Sequence, residues 1–110
     1  MGSIEFREQM EKLKPTYDLS RLQHVLGSVS TLAMTTRAAQ DARGLGFDSQ
    51  AIAAIIRSIE RPMFYKSMTT YMDSSRWQDV YHVPAGDLML YIKFQADIVT
   101  EFIVVSFKQR

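Results

Sequence analysis

The pattern of apolar residues changes at Pro62, and this change divides the sequence into two halves. Before Pro62, apolar residues recur at the three- and four-residue spacing of a helix, whereas after it the pattern is typical of strands. A chain that has its helices first and its strands last, joined by short turns, is typical of an α+β domain. We therefore expect N-terminal helices packed on one face of an antiparallel sheet.

Three short helices are predicted in the first half. The first and third carry an apolar stripe at helical spacing, and the second is rich in alanine. Each begins behind a residue whose side-chain oxygen can accept a backbone N–H, and a left-handed glycine is expected to end the second. The expected starts are Asp18, Thr35 or Thr36, and Asp48, and the expected ends are Gly27, Gly44 and Arg61.

Four strands are predicted after Pro62. In the third of them, Leu90 and Ile92 alternate with more polar residues, so that one face is apolar and the other is mixed. The last strand is more continuously hydrophobic, which is expected of a strand that is central in the sheet or covered on both faces. The predicted strands span residues 64–71, 77–83, 88–95 and 100–108, with a turn at residues 84–87.

The composition indicates one globular domain. The chain has 110 residues and no cysteine, which excludes disulfides, thiolate nucleophiles and cysteine-based zinc sites. No apolar run approaches the ~18 residues of a membrane-spanning helix, and no signal peptide is recognisable, so we expect a cytoplasmic protein. Residues 1–9 contain dipeptides that common cloning sites encode, so the natural domain is expected to span residues 10–110, beginning at Met10.

The charge and the histidines limit the possible functions. A net charge of +1 argues against a general nucleic-acid binder, so any role on RNA must depend on a few well-placed cations. His24 and His82, with the carboxylates, are the only candidate metal ligands, and they are too scattered to predict a metal or cofactor site. Either histidine could perform acid–base chemistry, but a structural or solvated role is more common.

Several polar residues lie within the predicted strands, where apolar packing is the usual pattern. Tyr91 and Lys93 share the face opposite Leu90 and Ile92, and such a face can simply be solvated. Spacing alone therefore favours a structural role for these residues. The polar strand residues are Lys66, Gln78, Tyr91, Lys93 and Lys108.

Four segments of the strand half carry a resemblance to a known family. Residues 64–71 read FYKSMTTY, residues 77–81 read WQDVY, residues 91–93 read YIK and residues 105–108 read VSFK. In order and spacing these segments resemble the motility quorum-sensing regulator (MqsR) toxin family. The resemblance extends more loosely through the helical half and covers nearly all of residues 10–110.

The resemblance implies a bacterial type II toxin with a RelE/YoeB-like ribonuclease fold. Such a toxin cleaves messenger RNA without a metal, at sites that contain GC, and a cognate antitoxin holds it inactive. The implied antitoxin is MqsA-like, with a zinc-binding domain and a helix-turn-helix domain, and contact with DNA occurs only through the complex. The implied site residues are Lys66, Gln78, Tyr91 and Lys108, all of the family's residue types.

In the implied reaction the ribose 2′-hydroxyl attacks the adjacent phosphorus and the 5′-oxygen leaves. Lys66 and Lys108 could converge on the phosphate if their strands lie close together. Neighbouring cations are expected to favour the phenolate of Tyr91, as general base or acid, and to help a lysine lose its proton. Gln78 is expected to be a positioning donor.

The sequence departs from the family pattern at residues 82–86 and 96–100, and both departures are expected to lie in loops. A non-catalytic module that binds an antitoxin or RNA is the main alternative function, but it predicts the loss of a site residue. A DNA-binding regulator is disfavoured, because no basic helix or helix-turn-helix pattern is present.

Overall fold

A computed structural model describes residues 9–110, and the fold is α+β as predicted. The proposed cloning-derived segment therefore lies outside the described residues, except for Gln9. The helices are α1 (Leu19–Leu26), α2 (Thr36–Gly44) and α3 (Ser49–Ser58), and Arg61–Met63 forms a 3₁₀ turn. The strands are β1 (Glu11–Lys12), β2 (Phe64–Thr69), β3 (Trp77–Ala85), β4 (Leu88–Asp97) and β5 (Glu101–Gln109).

The predicted helix starts are confirmed by their hydrogen bonds. Asp18, Thr35 and Asp48 are the N-cap residues, and each side chain accepts the backbone N–H of the residue three positions later. These bonds satisfy N–H groups that have no partner within the helix. Gly27 follows α1 as predicted.

The end of α2 differs from the prediction. Gly44 is the last helical residue, and the left-handed glycine is Gly46, whose φ is 94°. The helical turn continues past Gly44 because the N–H of Leu45 still donates to a carbonyl one turn earlier. The N–H of Phe47 then donates to the carbonyl of Ala42 at 3.1 Å and closes the helix end.

The end of α3 comes three residues earlier than predicted, at Ser58. A side chain of α1 caps this end, because the amide nitrogen of Gln23 lies 3.1 Å from the carbonyl oxygen of Ile56 and 2.8 Å from that of Ile59. This amide donates hydrogen bonds to carbonyl groups that have no partner within the helix at its C-terminus.

The five strands form one antiparallel sheet in the order β1-β2-β3-β4-β5, so each strand pairs with its neighbours in sequence. The prediction that the last strand is central or covered on both faces is wrong, because β5 is an edge strand and its other face stays partly exposed at Ile103, Ser106 and Lys108. Some backbone groups on the free edge of β5 nevertheless have hydrogen-bond partners. Val104 donates to the carbonyl of Ala33 and accepts the N–H of Thr35, at 2.9 and 3.0 Å.

The apolar core lies between the helices and one face of the sheet, which we call the inner face. Leu90 and Ile92 are fully buried there, as the alternation in β4 predicts. None of the helices within residues 9–110 is long and apolar enough to cross a membrane. The other core residues include Leu22, Leu26, Ile52, Ile56, Tyr81, Val83, Phe94, Val104 and Phe107.

A buried carboxylate fastens the segment between β1 and α1 to the inner face. Asp79 of β3 is fully buried, and its oxygens accept the backbone N–H groups of Thr16 and Tyr17 at 2.8–3.0 Å. The hydroxyl of Tyr17 donates to the carbonyl of Trp77 at 2.6 Å and accepts the N–H of Ala96 at 3.2 Å. These contacts join β3 and β4 to the chain that leads into α1.

Replacing Asp79 with alanine is expected to lower the free energy of unfolding by about 3 kcal/mol, because it leaves two backbone N–H groups without their charged acceptor. Urea denaturation measures the change. Asp87→Ala is the matched control, because Asp87 is exposed in the turn between β3 and β4, and its effect should stay within about 0.5 kcal/mol. Equal stability losses in the two variants would contradict the assigned role of Asp79.

Candidate active site

The face opposite the core carries no helix within residues 9–110, and we call it the outer face. Strand register places its residues in rows that run across the strands. One row contains Lys66, Val80, Lys93 and Ser106 on β2, β3, β4 and β5. The next row contains His82, Tyr91 and Lys108 on β3, β4 and β5. These two rows form the candidate site.

Tyr65 joins this site because β2 is irregular at that position. The pairing of β2 with β3 shifts between Phe64 and Lys66, as in a β-bulge. The ring of Tyr65 therefore stacks on the imidazole of His82, with centroids 4.2 Å apart and planes 23° apart. The centroid of Tyr91 lies 6.0 Å from the same imidazole on its other side in the sheet. His82 thus lies between two tyrosines.

Lysine ammonium groups surround Tyr91. The Nζ atoms of Lys93 and Lys108 lie 5.7 and 5.6 Å from its ring centroid. Lys66 donates to a carboxylate oxygen of Glu11 in β1 at 2.5 Å, and its side chain is only 21% exposed. An ammonium group has three donors, so this ion pair leaves Lys66 able to bind a further anion.

Three of the four predicted site residues, Lys66, Tyr91 and Lys108, belong to this cluster. The strands of the two lysines are not neighbours, because β3 and β4 separate β2 from β5 by about 14 Å in all. The lysines therefore approach Tyr91 from opposite sides of the sheet.

The fourth predicted residue, Gln78, lies on the same face but outside the cluster. Its side-chain amide donates to Gln95 on β4 at 2.8 Å. It is four residues from His82 along β3, which corresponds to about 13 Å. Gln78 thus lies in the row next to that of Lys66 and Lys93, two residues from Val80, on the same open surface.

Burial favours the protonated form of Tyr91. Burial raises the pKa of Tyr91 above its ordinary value of 10.0, and the nearby Lys66 only partly opposes this effect. Lys66 favours the phenolate as expected, but burial outweighs it, so the phenolate is not favoured overall. A phenol that stays protonated at neutral pH can donate a proton but cannot accept one as a base.

The pKa values of two lysines in the cluster shift in opposite directions. The hydrogen bond to Glu11 raises the pKa of Lys66 above its ordinary value, so Lys66 is cationic at neutral pH. Burial and the positive charges of Lys108 and Lys66 lower the pKa of Lys93. The expectation that a lysine near other cations loses its proton more easily is thus confirmed for Lys93 and wrong for Lys66.

Sequence reasoning did not select Tyr65, His82 or Lys93 for the site. The departure from the family pattern at residues 82–86 was expected to lie in a loop, but residues 82–85 belong to β3. Burial and the nearby Arg110 lower the pKa of His82. Alternation from Val80 could have placed His82 on the outer face, whereas only the register shows that it is opposite Tyr91.

The other histidine, His24, is exposed on α1 and takes no part in this cluster. Among residues 9–110, no group of three or more histidine, aspartate and glutamate side chains is arranged to hold a metal ion.

Comparisons with known proteins agree on one family. Residues 14–109 match the family described as "Motility quorum-sensing regulator, toxin of MqsA". The chain is also 35% identical over 103 residues to the mRNA interferase toxin MqsR of Escherichia coli (strain K12). That match covers 92% of this chain and 100% of the relative.

The phenol of Tyr91 is expected to ionise above pH 10, because burial disfavours its charged form. The difference in ultraviolet absorbance at alkaline pH between the wild type and Tyr91→Phe isolates this one titration. A titration midpoint of this difference below pH 10 would show that the effect of the lysines outweighs that of burial.

Proposed function

The chain belongs to the motility quorum-sensing regulator toxin family, and we propose that it is an mRNA interferase whose active site is the cluster around Tyr91. The observation that supports this site best is the arrangement of Lys93 and Lys108 at the ring of one phenol, with Lys66 over the neighbouring Tyr65, on an open face of the sheet. Cations bind a phosphate, and a protonated phenol can supply a proton to a leaving oxygen.

The proposed substrate is single-stranded mRNA lying across the outer face. Such a substrate can reach the site, because this face carries no helix among residues 9–110 and Tyr65 is 47% exposed at its edge. Aromatic side chains such as Tyr65 can stack on unpaired bases. Cleavage of mRNA would inhibit translation and growth, and it would take place in the cytoplasm.

In the proposed reaction the ribose 2′-oxygen forms a bond to phosphorus as the bond to the 5′-oxygen breaks. The products carry a 2′,3′-cyclic phosphate and a 5′-hydroxyl. Lys66 and Lys108 stabilise the negative charge that develops on the phosphate oxygens, and Tyr91 donates its proton to the 5′-oxygen. Removing one preorganised donor of this kind costs about 2.7–4 kcal/mol of transition-state stabilisation in other enzymes.

Gln78 is proposed to help position the RNA. Its distance from Tyr91 and its place on the same face suit a hydrogen bond to a neighbouring nucleotide of the same strand, through a base edge or a phosphate. The side-chain amide of Gln78 already donates to Gln95. When RNA binds, this amide would either donate to the nucleotide in place of Gln95 or donate to both. Gln78 is therefore proposed as a positioning residue for the substrate.

An antitoxin is the proposed protein partner. The family description names MqsA as the partner of its toxins. We propose a cognate antitoxin that is MqsA-like, with a zinc-binding domain and a helix-turn-helix domain. In this arrangement the toxin would contact DNA only through the antitoxin complex.

Lys108→Ala and Tyr91→Phe are each expected to lower the cleavage rate of a defined single-stranded RNA by about 100-fold or more. The reaction is run in EDTA, and sequencing of the product ends should show 2′,3′-cyclic phosphates and cut sites that contain GC. Lys14→Ala is the matched control, because Lys14 is an exposed lysine in the segment before α1.

A folded Lys108→Ala variant that cleaves at the wild-type rate would contradict the proposed site. RNA left intact by the wild type, but still bound, would instead indicate a non-catalytic binding module.

RNA binding by the Tyr91→Phe variant is expected to depend only weakly on salt. Three lysines that neutralise phosphates of a single strand predict a slope of about −2 in log K against log salt. Fluorescence anisotropy at several salt concentrations measures this slope. A much steeper slope would indicate that RNA contacts cations far beyond this cluster.

A further inference from the structure

We propose that His82 is the general base of the cleavage reaction and takes the proton from the 2′-hydroxyl that attacks the phosphorus. The assignment rests on the proposed ribonuclease activity. It supplies the proton acceptor that the reaction needs and that Tyr91, as a protonated phenol, does not provide.

The position of His82 suits this role. It is opposite Tyr91 in the register of β3 and β4, on the outer face, and its side chain is only partly buried. The stacked ring of Tyr65 fixes the plane of the imidazole from the β2 side. Base, proton donor and lysines therefore occupy two adjacent rows of the outer face.

The groups that face His82 are tyrosines and cations. Tyr65 and Lys66 approach from β2, and Tyr91 and Lys93 approach from β4. Lys108 of β5 and the following Arg110 complete this surrounding, and no carboxylate touches the ring in the described chain. Burial and Arg110 lower the pKa of His82 from its ordinary value of 6.5, so the imidazole is neutral at pH 7 and can accept a proton.

Lys93 is the competing base, since its pKa is also lowered. It starts, however, from an ordinary value of 10.5, whereas His82 starts from 6.5 and moves further from the protonated form. An efficient base has its pKa near the working pH, which His82 satisfies better. Lys93 then serves as a third cation beside the phosphate.

The proton balance closes within the cluster. His82 receives the 2′-hydroxyl proton through a ring nitrogen and becomes an imidazolium. Tyr91 gives its proton to the departing 5′-oxygen and becomes a phenolate. The imidazolium and phenolate are neighbours, so a proton passes from His82 to Tyr91, directly or through water, and restores both groups. One proton has then moved from the 2′-oxygen to the 5′-oxygen.

His82 lies in the segment where the sequence departs from the family pattern, residues 82–86. The structure places this departure in a strand of the site instead of a loop. The proposed base is therefore a property of this chain, and the lysines and Tyr91 come from the segments that carry the family resemblance.

His82→Phe tests the proposal, because phenylalanine keeps an aromatic ring to stack on Tyr65 but cannot accept a proton. We expect single-turnover cleavage to fall by about 100-fold or more at pH 7. The wild-type rate should decline as the pH falls below 6.5, because protonation removes the base, and the variant should lack this acidic limb. His24→Phe, at the exposed histidine of α1, is the matched control and should cleave at the wild-type rate.

His82→Ala provides a second test that does not depend on how phenylalanine packs. Added imidazole should restore cleavage by this variant in a concentration-dependent way, with a pH dependence that follows the titration of free imidazole. Restoration supports a proton-transfer role, which a purely structural histidine would not show.

Two results would overturn the assignment. One is a His82→Phe variant that cleaves within about threefold of the wild type and keeps its acidic limb, which would make His82 only a stacking residue. The other is a His82→Ala variant that loses activity and does not respond to imidazole. A wild type that fails to cleave RNA at all would overturn the proposed function itself, so the two failures are distinguishable.

Discussion

The buried carboxylate of Asp79 is the contact on which the arrangement of the sheet depends. It binds the backbone of Thr16 and Tyr17, where the chain passes from β1 at one edge of the sheet to α1 on the inner face. A buried charge is tolerated only when it is well hydrogen-bonded, so Asp79 must face these N–H groups. Because side chains alternate along a strand, this fixes Val80 and His82 to the outer face. The inward-facing carboxylate of Asp79 thus determines which side chains of β3 point outward.

The outer face concentrates charge that the composition does not reveal. A net charge of +1 suggests no affinity for a polyanion, yet Lys93 and Lys108 lie at the ring of Tyr91 and Lys66 lies over the ring of Tyr65. The carboxylate of Glu11 pairs with one of them and reduces the mutual repulsion of the cluster. A small nuclease can therefore be nearly neutral as a whole, because only the charges within a few ångströms of the phosphate act on the reaction.

Features that depend on neighbouring residues were predictable from the sequence, and features that depend on distant pairing were not. The starts of the three helices follow from local hydrogen bonds of Asp18, Thr35 and Asp48, and the faces of β4 follow from alternation. The edge position of β5 and the two-residue strand β1 leave no comparable local pattern. Family resemblance indicated four site residues, three of which cluster, but the register that brings His82 beside Tyr91 arises only when β3 and β4 pair.

Two register shifts shape this sheet, one in β2 beside Tyr65 and one between β4 and β5 after Lys93. Each inserts an extra residue, and beyond it every side chain would otherwise point to the opposite face. A relative that lacked one of these residues could keep every strand and still bury its lysine or expose its core. Comparisons within the family should therefore place gaps at these two positions with care, because a one-residue shift there exchanges the outer face for the inner face.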